Sequence, residues 1–454
     1  MKDKNDKSVQ PVEFDGWKGE RRADSLPESF SSIKVPMQGN FWRKLFAFAG
    51  PGLMVAVGYM DPGNWATDIA GGAKFGYLLL SIILASSIFA MILQHLSLKL
   101  GIVAERDLAQ ACRDNYSKKA SMLLWVLAEI AIAACDLAEV IGSAIALNLL
   151  LGIPIVVGVI ITSLDVLLIL FFQYKGFRFI EALVAGLINI IFFCFLYEII
   201  VSKPEIASML GGFIPHPKIV FNPGMLYIAI GILGATVMPH NLYLHSSLVQ
   251  TRDYPRNEEG KKTAIKFATI DSNVALFLAF LINAAILIVS AATFHGTGYQ
   301  DVADITDAYK LLNPVLGVSL ASFIFAIALL ASGQNSTITG TLAGQIVMEG
   351  FLNIHLKPWL RRLITRLIAI TPALIITAFY GEKGMVGLLV LSQVILSIQL
   401  SFAVFPLIIF TGDKSKMGIF VNNLRMKITA WIVAIVILLL NVFLLYQTFV
   451  LWLS

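Results

Sequence analysis

The sequence predicts an all-α membrane protein of eleven spanning helices, with the first and sixth broken at mid-membrane. Three observations carry this expectation. The 454 residues are 57% hydrophobic and only 14% charged, whereas a soluble domain carries about 25% charged residues. The apolar residues gather in eleven long blocks, and a helix that crosses a bilayer needs roughly 20 of them. Two of the blocks hold proline beside polar residues near their centres, where no turn is needed. Such a composition excludes a cytosolic enzyme, a disordered chain and a nucleic-acid binder.

Residues 1–40 are polar and rich in Ser, Lys, Glu and Asp, without the apolar core of a cleavable signal peptide. They are expected to form a disordered cytoplasmic tail. The apolar blocks then run 44–73, 76–100, 121–150, 153–173, 179–201, 224–250, 267–294, 315–349, 359–380, 385–411 and 427–452, numbered here as spans 1 to 11. Residues 41–222 make a first unit of spans 1–5 with its outer connection. Residues 223–412 make a second unit of spans 6–10, and 413–454 a cytoplasmic loop with span 11. Cys112, Cys135 and Cys194 give no disulfide framework.

Basic residues set the orientation. With the N-terminus inside, the tail, the even-to-odd connections after spans 2, 4, 6, 8 and 10 and their flanks take all but Lys74, Lys203, Lys218, Lys310 and Lys383 of the 34 Lys and Arg. Cytoplasmic loops collect such residues. The expected topology is N-terminus cytoplasmic and C-terminus outside, in the inner (plasma) membrane, and the net charge of +5 reports that topology.

Span 1 contains Asp61-Pro62-Gly63-Asn64 and span 6 contains Met238-Pro239-His240-Asn241. Proline lacks an N–H and crowds the carbonyl four residues back, so Pro62 frees the Gly58 carbonyl and Pro239 that of Ala235. Freed backbone at membrane depth is tolerated only where it is buried in protein or lines a cavity. One kink is commonly structural. Matching breaks five spans apart are the pattern of a secondary transporter built from two inverted five-helix repeats, with its ion site at the unwound helices.

The chemistry follows from the ligand types. Asp61 at mid-membrane is expensive unless it is paired, protonated or holding a cation. Asn64 adds an amide oxygen, Ala235 a freed carbonyl, and Met238 a thioether. Hard ions such as Mg²⁺ and Ca²⁺ favour all-oxygen shells, and soft sulfur favours transition metals. The set therefore points to Mn²⁺ or Fe²⁺, with Ca²⁺ and Mg²⁺ discriminated against. In span 3, Glu129, Asp136 and Glu139 form one acidic stripe, open to either a proton route or structural pairing. Gln94, Thr236, His245 and Asn283 are candidate gate residues. His240 and His245 sit about 140° apart on a helix and cannot share one small site; His245 lines the path or simply packs.

These motifs resemble the signatures of the Nramp family of proton-coupled divalent metal transporters (natural-resistance-associated macrophage proteins). The resemblance runs from about residue 41 to the C-terminus and takes in Gly50-Pro51-Gly52, Asp136-Leu137-Ala138-Glu139-Val140, Ser332-Gly333-Gln334 and Arg361-Arg362 besides the two breaks. It implies a leucine-transporter-type fold, with metal held by Asp61, Asn64, Met238 and the Ala235 carbonyl, and Gln393 joining in some conformations. It also implies a proton path through Asp61, Asp136, Glu139, His240, Arg361, Arg362 and Arg366. Members that move Mg²⁺ or Al³⁺ lack the methionine, so Met238 implies the bacterial Mn²⁺/Fe²⁺ branch.

Other functions fare worse. A sodium-coupled amino-acid or amine transporter on the same fold needs glycines and helix N-termini for a substrate carboxylate, which Asp61 and Met238 do not suit. No histidine pair at metal spacing and no nucleophile with a base marks an enzyme or a bound cofactor. No phosphate-cradling loop marks ATP as the driver, and the remaining partners are protons, the transported metal and the bilayer. A passive divalent channel stays open at this stage.

Overall fold

The computed structural model describes residues 16–21, 23–36, 38–162, 164, 175–299, 305–317, 320–354 and 358–453. Among these, eight segments are long and apolar enough to cross a bilayer. One of them, Pro62–Ala104, has 43 residues, which at 1.5 Å per residue is about 65 Å, twice the hydrocarbon core. It therefore holds two spans. They join at Gly76, whose φ of +62° ends the first helix in a conformation that only glycine adopts freely.

Span 1 is a helix over Pro51–Ala56, a tight turn over Val57–Tyr59, and a second helix over Pro62–Phe75. Span 2 is Leu80–Ala104. Span 3 is Lys118–Leu151, opened by a Ser117 cap on the Ala120 N–H and closed at Gly152 with φ +68°. Span 4 is described only to residues 162 and 164. Span 5 is Phe177–Ser202. Span 6 is again two helices, Pro223–Thr236 and Pro239–Leu248. Spans 7, 8 and 11 are Glu258–Phe294, Ala321–Leu352 and Leu424–Leu453.

Prolines start both halves of both broken spans because the first helical position needs no N–H. Span 3 packs along spans 8 and 10, and span 7 lies on spans 1 and 2. Small residues let these backbones approach, as expected where lipid offers no hydrophobic drive. A Cβ on Gly101 of span 2 would fall 2.1 Å from the Ser246 carbonyl, and one on Gly142 of span 3 would fall 2.3 Å from the Pro62 ring. Phe193, Ile200, Leu281 and Leu439 point outward, toward lipid.

Two features differ from the sequence expectation. Among the described residues before span 1, 23–36 are not a disordered tail: Leu26 and Val35 are buried, and Ile33–Lys34 pairs in parallel with Arg252–Asp253. Sparse apolar side chains suffice here because a folded surface is already waiting for them. Pro358–Gly412 runs as one helix of 55 residues, long enough for spans 9 and 10 together, without the break expected between them near Gly381–Gly384. Two glycines and no proline leave the helical hydrogen bonds intact there.

Candidate metal-transport site

The two breaks lie against each other, with Asn241 of span 6 packed on Gly58 of span 1. Asp61 caps the second helix of span 1. Its Oδ1 accepts from the Asn64 N–H and from Asn64 Nδ2, each at 2.9 Å, while Oδ2 is buried without a hydrogen-bond partner. The Asn64 amide nitrogen is thus committed to Asp61, which leaves its oxygen for a cation. An uncompensated carboxylate oxygen at this depth is costly, and a metal ion or a proton is what relieves it.

Two carbonyls of the break are held by side chains. Met60 O accepts from Ser332 Oγ at 2.6 Å and Trp65 Nε1 at 3.2 Å. Tyr59 O accepts from Asn283 Nδ2 at 2.6 Å. In span 6 the helix stops at Thr236 and resumes at Pro239, so the Ala235 carbonyl has no N–H four residues on. Met238 stands between the halves in extended backbone and packs with Ala131, Cys135 and Leu396.

Gln393 reaches the same place from span 10. A Cβ on Gly63 would fall 1.9 Å from its Nε2, and its Oε1 is buried without a partner. Asn241 lies against Gly58, where a Cβ would fall 2.2 Å from Nδ2, and neither of its amide atoms has a partner. The sequence reading quoted Asn241 within the span 6 motif without assigning it. Its signal was a carboxamide two residues after Pro239.

Three of the four gate candidates converge on Tyr59. Asn283 holds its carbonyl, Gln94 Nε2 donates to its hydroxyl at 2.7 Å, and Gln94 Oε1 meets His245 Nδ1 at 2.9 Å. Tyr59 is a residue that sequence reasoning missed. Thr236 does not join this chain, because its hydroxyl donates to the Ile232 carbonyl at 2.6 Å within its own helix.

The acidic pair of span 3 faces span 8. A Cβ on Gly340 would fall 2.9 Å from Glu139 Oε1 and 3.2 Å from Asp136 Oδ1. Cys135, also unassigned from sequence, donates to Glu139 Oε1 at 3.4 Å and lies 3.8 Å from His240 Nε2. Through His240 and Glu139, Cys135 links the broken span 6 to the acid pair, and it shares a small buried cluster with Met238. Glu129, one end of the predicted acidic stripe, accepts from Trp125 Nε1 at 3.1 Å. The side chains of Arg361, Arg362 and Arg366 lie outside the described residues. Gly340→Ala is expected to displace the acid pair and shift the pH profile of uptake while metal affinity stays within a factor of about two of the parent. Uptake rates across pH and equilibrium metal titration check this together.

The natural resistance-associated macrophage protein-like (Nramp) family profile matches residues 52–447. The chain belongs to the Nramp family. It is 61% identical over 447 residues to the divalent metal cation transporter MntH of Listeria monocytogenes, covering 98% of this chain and 99% of the relative. The Nostoc relative of the same name is 63% identical over 429 residues, covering 94% and 97%. Among solved structures, the Eremococcus coleocola manganese transporter in complex with an aromatic bis-isothiourea compound matches with a TM-score of 0.87. It is 44% identical and the match covers 92% and 90% of the two chains. A nucleobase-cation-symport-1 family transporter, 15% identical with a TM-score of 0.59 over 87% of this chain and 89% of that one, shares the fold. The Nramp chain is thus a membrane transporter with a leucine-transporter-type fold.

Proposed function

We propose that this Nramp chain imports divalent transition-metal ions, Mn²⁺ and Fe²⁺ foremost, together with protons and by alternating access. The observation that carries the reading is Asp61: a buried carboxylate with one uncommitted oxygen, at a helix break that meets a second break bearing a thioether. The names of the Listeria and Nostoc relatives, and that of the Eremococcus manganese transporter, support it.

The ion enters from outside and trades part of its water shell for Asp61, Asn64, the Ala235 carbonyl and Met238. Gln393, already against Gly63, supplies a further oxygen when its amide turns. The Met238 sulfur raises the relative affinity for softer ions and offers little to Ca²⁺ or Mg²⁺. An inside-negative potential contributes about 2.3 kcal/mol per charge per 100 mV. Asp61 cannot hold a metal and a proton equally well, so metal arrival displaces its proton. The path for that proton is His240, Asp136 and Glu139, then Arg361, Arg362 and Arg366 at the cytoplasmic start of span 9. The Tyr59, Gln94, His245 and Asn283 chain closes the metal route during the turnover, and no chemistry on the ion is involved. The chain sits in the inner membrane with its N-terminus in the cytoplasm and its C-terminus outside.

The test is Met238→Ala in proteoliposomes. Mn²⁺ uptake should weaken while Ca²⁺ uptake rises, so that discrimination falls by roughly tenfold, which corresponds to about 1.4 kcal/mol. Full discrimination retained in the variant would remove the thioether from the site.

A further inference from the structure

Residues 17–21 and 23–35 run across the cytoplasmic face and touch the 2–3 connection, the end of span 6 with the strand that follows it, and the end of span 10. Trp17 packs on Phe410 at the end of span 10, with its ring under Arg106 and Lys416. The Gly19 N–H donates to the Asp114 carbonyl at 2.8 Å, and Gln110 Nε2 donates to the Ala23 carbonyl at 3.1 Å. Ser25 is the centre of the crossing. Its hydroxyl bonds Asp107 Oδ2 at 2.5 Å in the 2–3 connection and Ser247 Oγ at 2.7 Å at the end of span 6. Leu26 beside it is only 5% exposed. Farther on, the Ser31 N–H donates to the Gln250 carbonyl at 3.0 Å and the Val35 N–H to that of Asp253 at 3.1 Å. Phe30 sits between Arg21 and Arg256.

Two consequences follow from this placement. The second half of span 6, Pro239–Leu248, is buried along its whole length, although its last turn reaches the cytoplasmic side, and Ser25 and Leu26 are part of what covers it. The segment also ties the end of span 6 to the 2–3 connection and to span 10. A broken-helix transporter opens by moving one bundle against the other around the site, so a tie between them resists opening. The hydrogen bonds to Asp107 and Ser247 are single side-chain contacts of about 1 kcal/mol each, which makes the tie at Ser25 releasable.

We propose that residues 17–35 form a strap that holds the cytoplasmic side shut and must lift from Ser247 and Asp107 in every cycle. This rests on the alternating-access reading above. It goes beyond that reading by assigning the N-terminal segment a restraining role in the transport cycle.

A reversible cross-link tests it. In the full chain, Ser25→Cys combined with Ser247→Cys brings two thiols to the position of the present hydroxyl contact. Oxidation to the disulfide should slow Mn²⁺ uptake by roughly tenfold or more, a coupling of ordinary size, and reductant should restore it. Each single variant treated with the same oxidant should keep its rate, which sets aside Cys112, Cys135 and Cys194. Full-rate uptake by protein shown to be cross-linked overturns the proposal.

A second readout needs no transport. Leu26→Asp should undock the strap and raise maleimide labelling of Ser247→Cys from the cytoplasmic side several-fold. Unchanged labelling overturns the strap by itself. Absence of Mn²⁺ uptake in the reduced double variant and in the parent alike overturns the metal-import reading instead, and the labelling result then still decides whether the strap covers span 6.

Discussion

Asp61→Asn is expected to abolish saturable Mn²⁺ uptake, with a loss greater than about 100-fold, since even partners of metal ligands are worth 10–100-fold. The substitution is informative because it spares the fold. Asn caps a helix about as well as Asp, so its carbonyl can still accept from the Asn64 N–H, and the helix still starts at Pro62. What disappears is the charge and the free oxygen that a divalent ion would take. Radioactive Mn²⁺ uptake, alongside thermal unfolding in detergent, checks both halves. Uptake near the parental rate would mean that the ion binds elsewhere.

Arg252→Ala should act in the opposite way, through stability. Arg252 is 1% exposed, and its guanidinium donates to Glu181 Oε1 at 2.8 Å and to the Ala49 carbonyl at 2.7 Å. Removing one member of a buried pair leaves the other without compensation, at about 3–5 kcal/mol. Arg178 also pairs with Glu181, at 2.9 Å, so the lower end of that range is expected. The loss falls on the start of span 1, where Asp271 Oδ2 accepts from the Gly52 N–H at 2.7 Å and Glu181 presses on Gly50. Pairing Arg252→Met with Glu181→Gln should recover part of the stability, because a neutral pair carries no stranded charge. Thermal unfolding of the three proteins in detergent measures it.

Much of the architecture was legible because membranes leave few options. Backbone groups must be satisfied within helices, so apolar block lengths mark spans, and Pro62 and Pro239 announce the breaks. The residue types at those breaks also announced a cation site. Contacts across the bundle were not legible. Nothing in the sequence tells that Gln94, His245 and Asn283 converge on Tyr59, since three helices must be docked before they meet. Cys135 looked like an ordinary apolar-block cysteine until Met238, His240 and Glu139 surrounded it. The strap was misjudged for a related reason. Composition reports whether a segment can bury its own apolar surface, and residues 17–35 bury theirs on another part of the chain.

The central claim is that one buried carboxylate couples metal to protons. The most direct measurement places purified protein in liposomes with a pH-sensitive dye inside, adds Mn²⁺ outside at acid pH, and records metal and proton influx together. The account expects saturable Mn²⁺ uptake with internal acidification that depends on Mn²⁺, and neither with Asp61→Asn. Mn²⁺ uptake without acidification, or sodium-driven uptake of an amine in place of the metal, would contradict it.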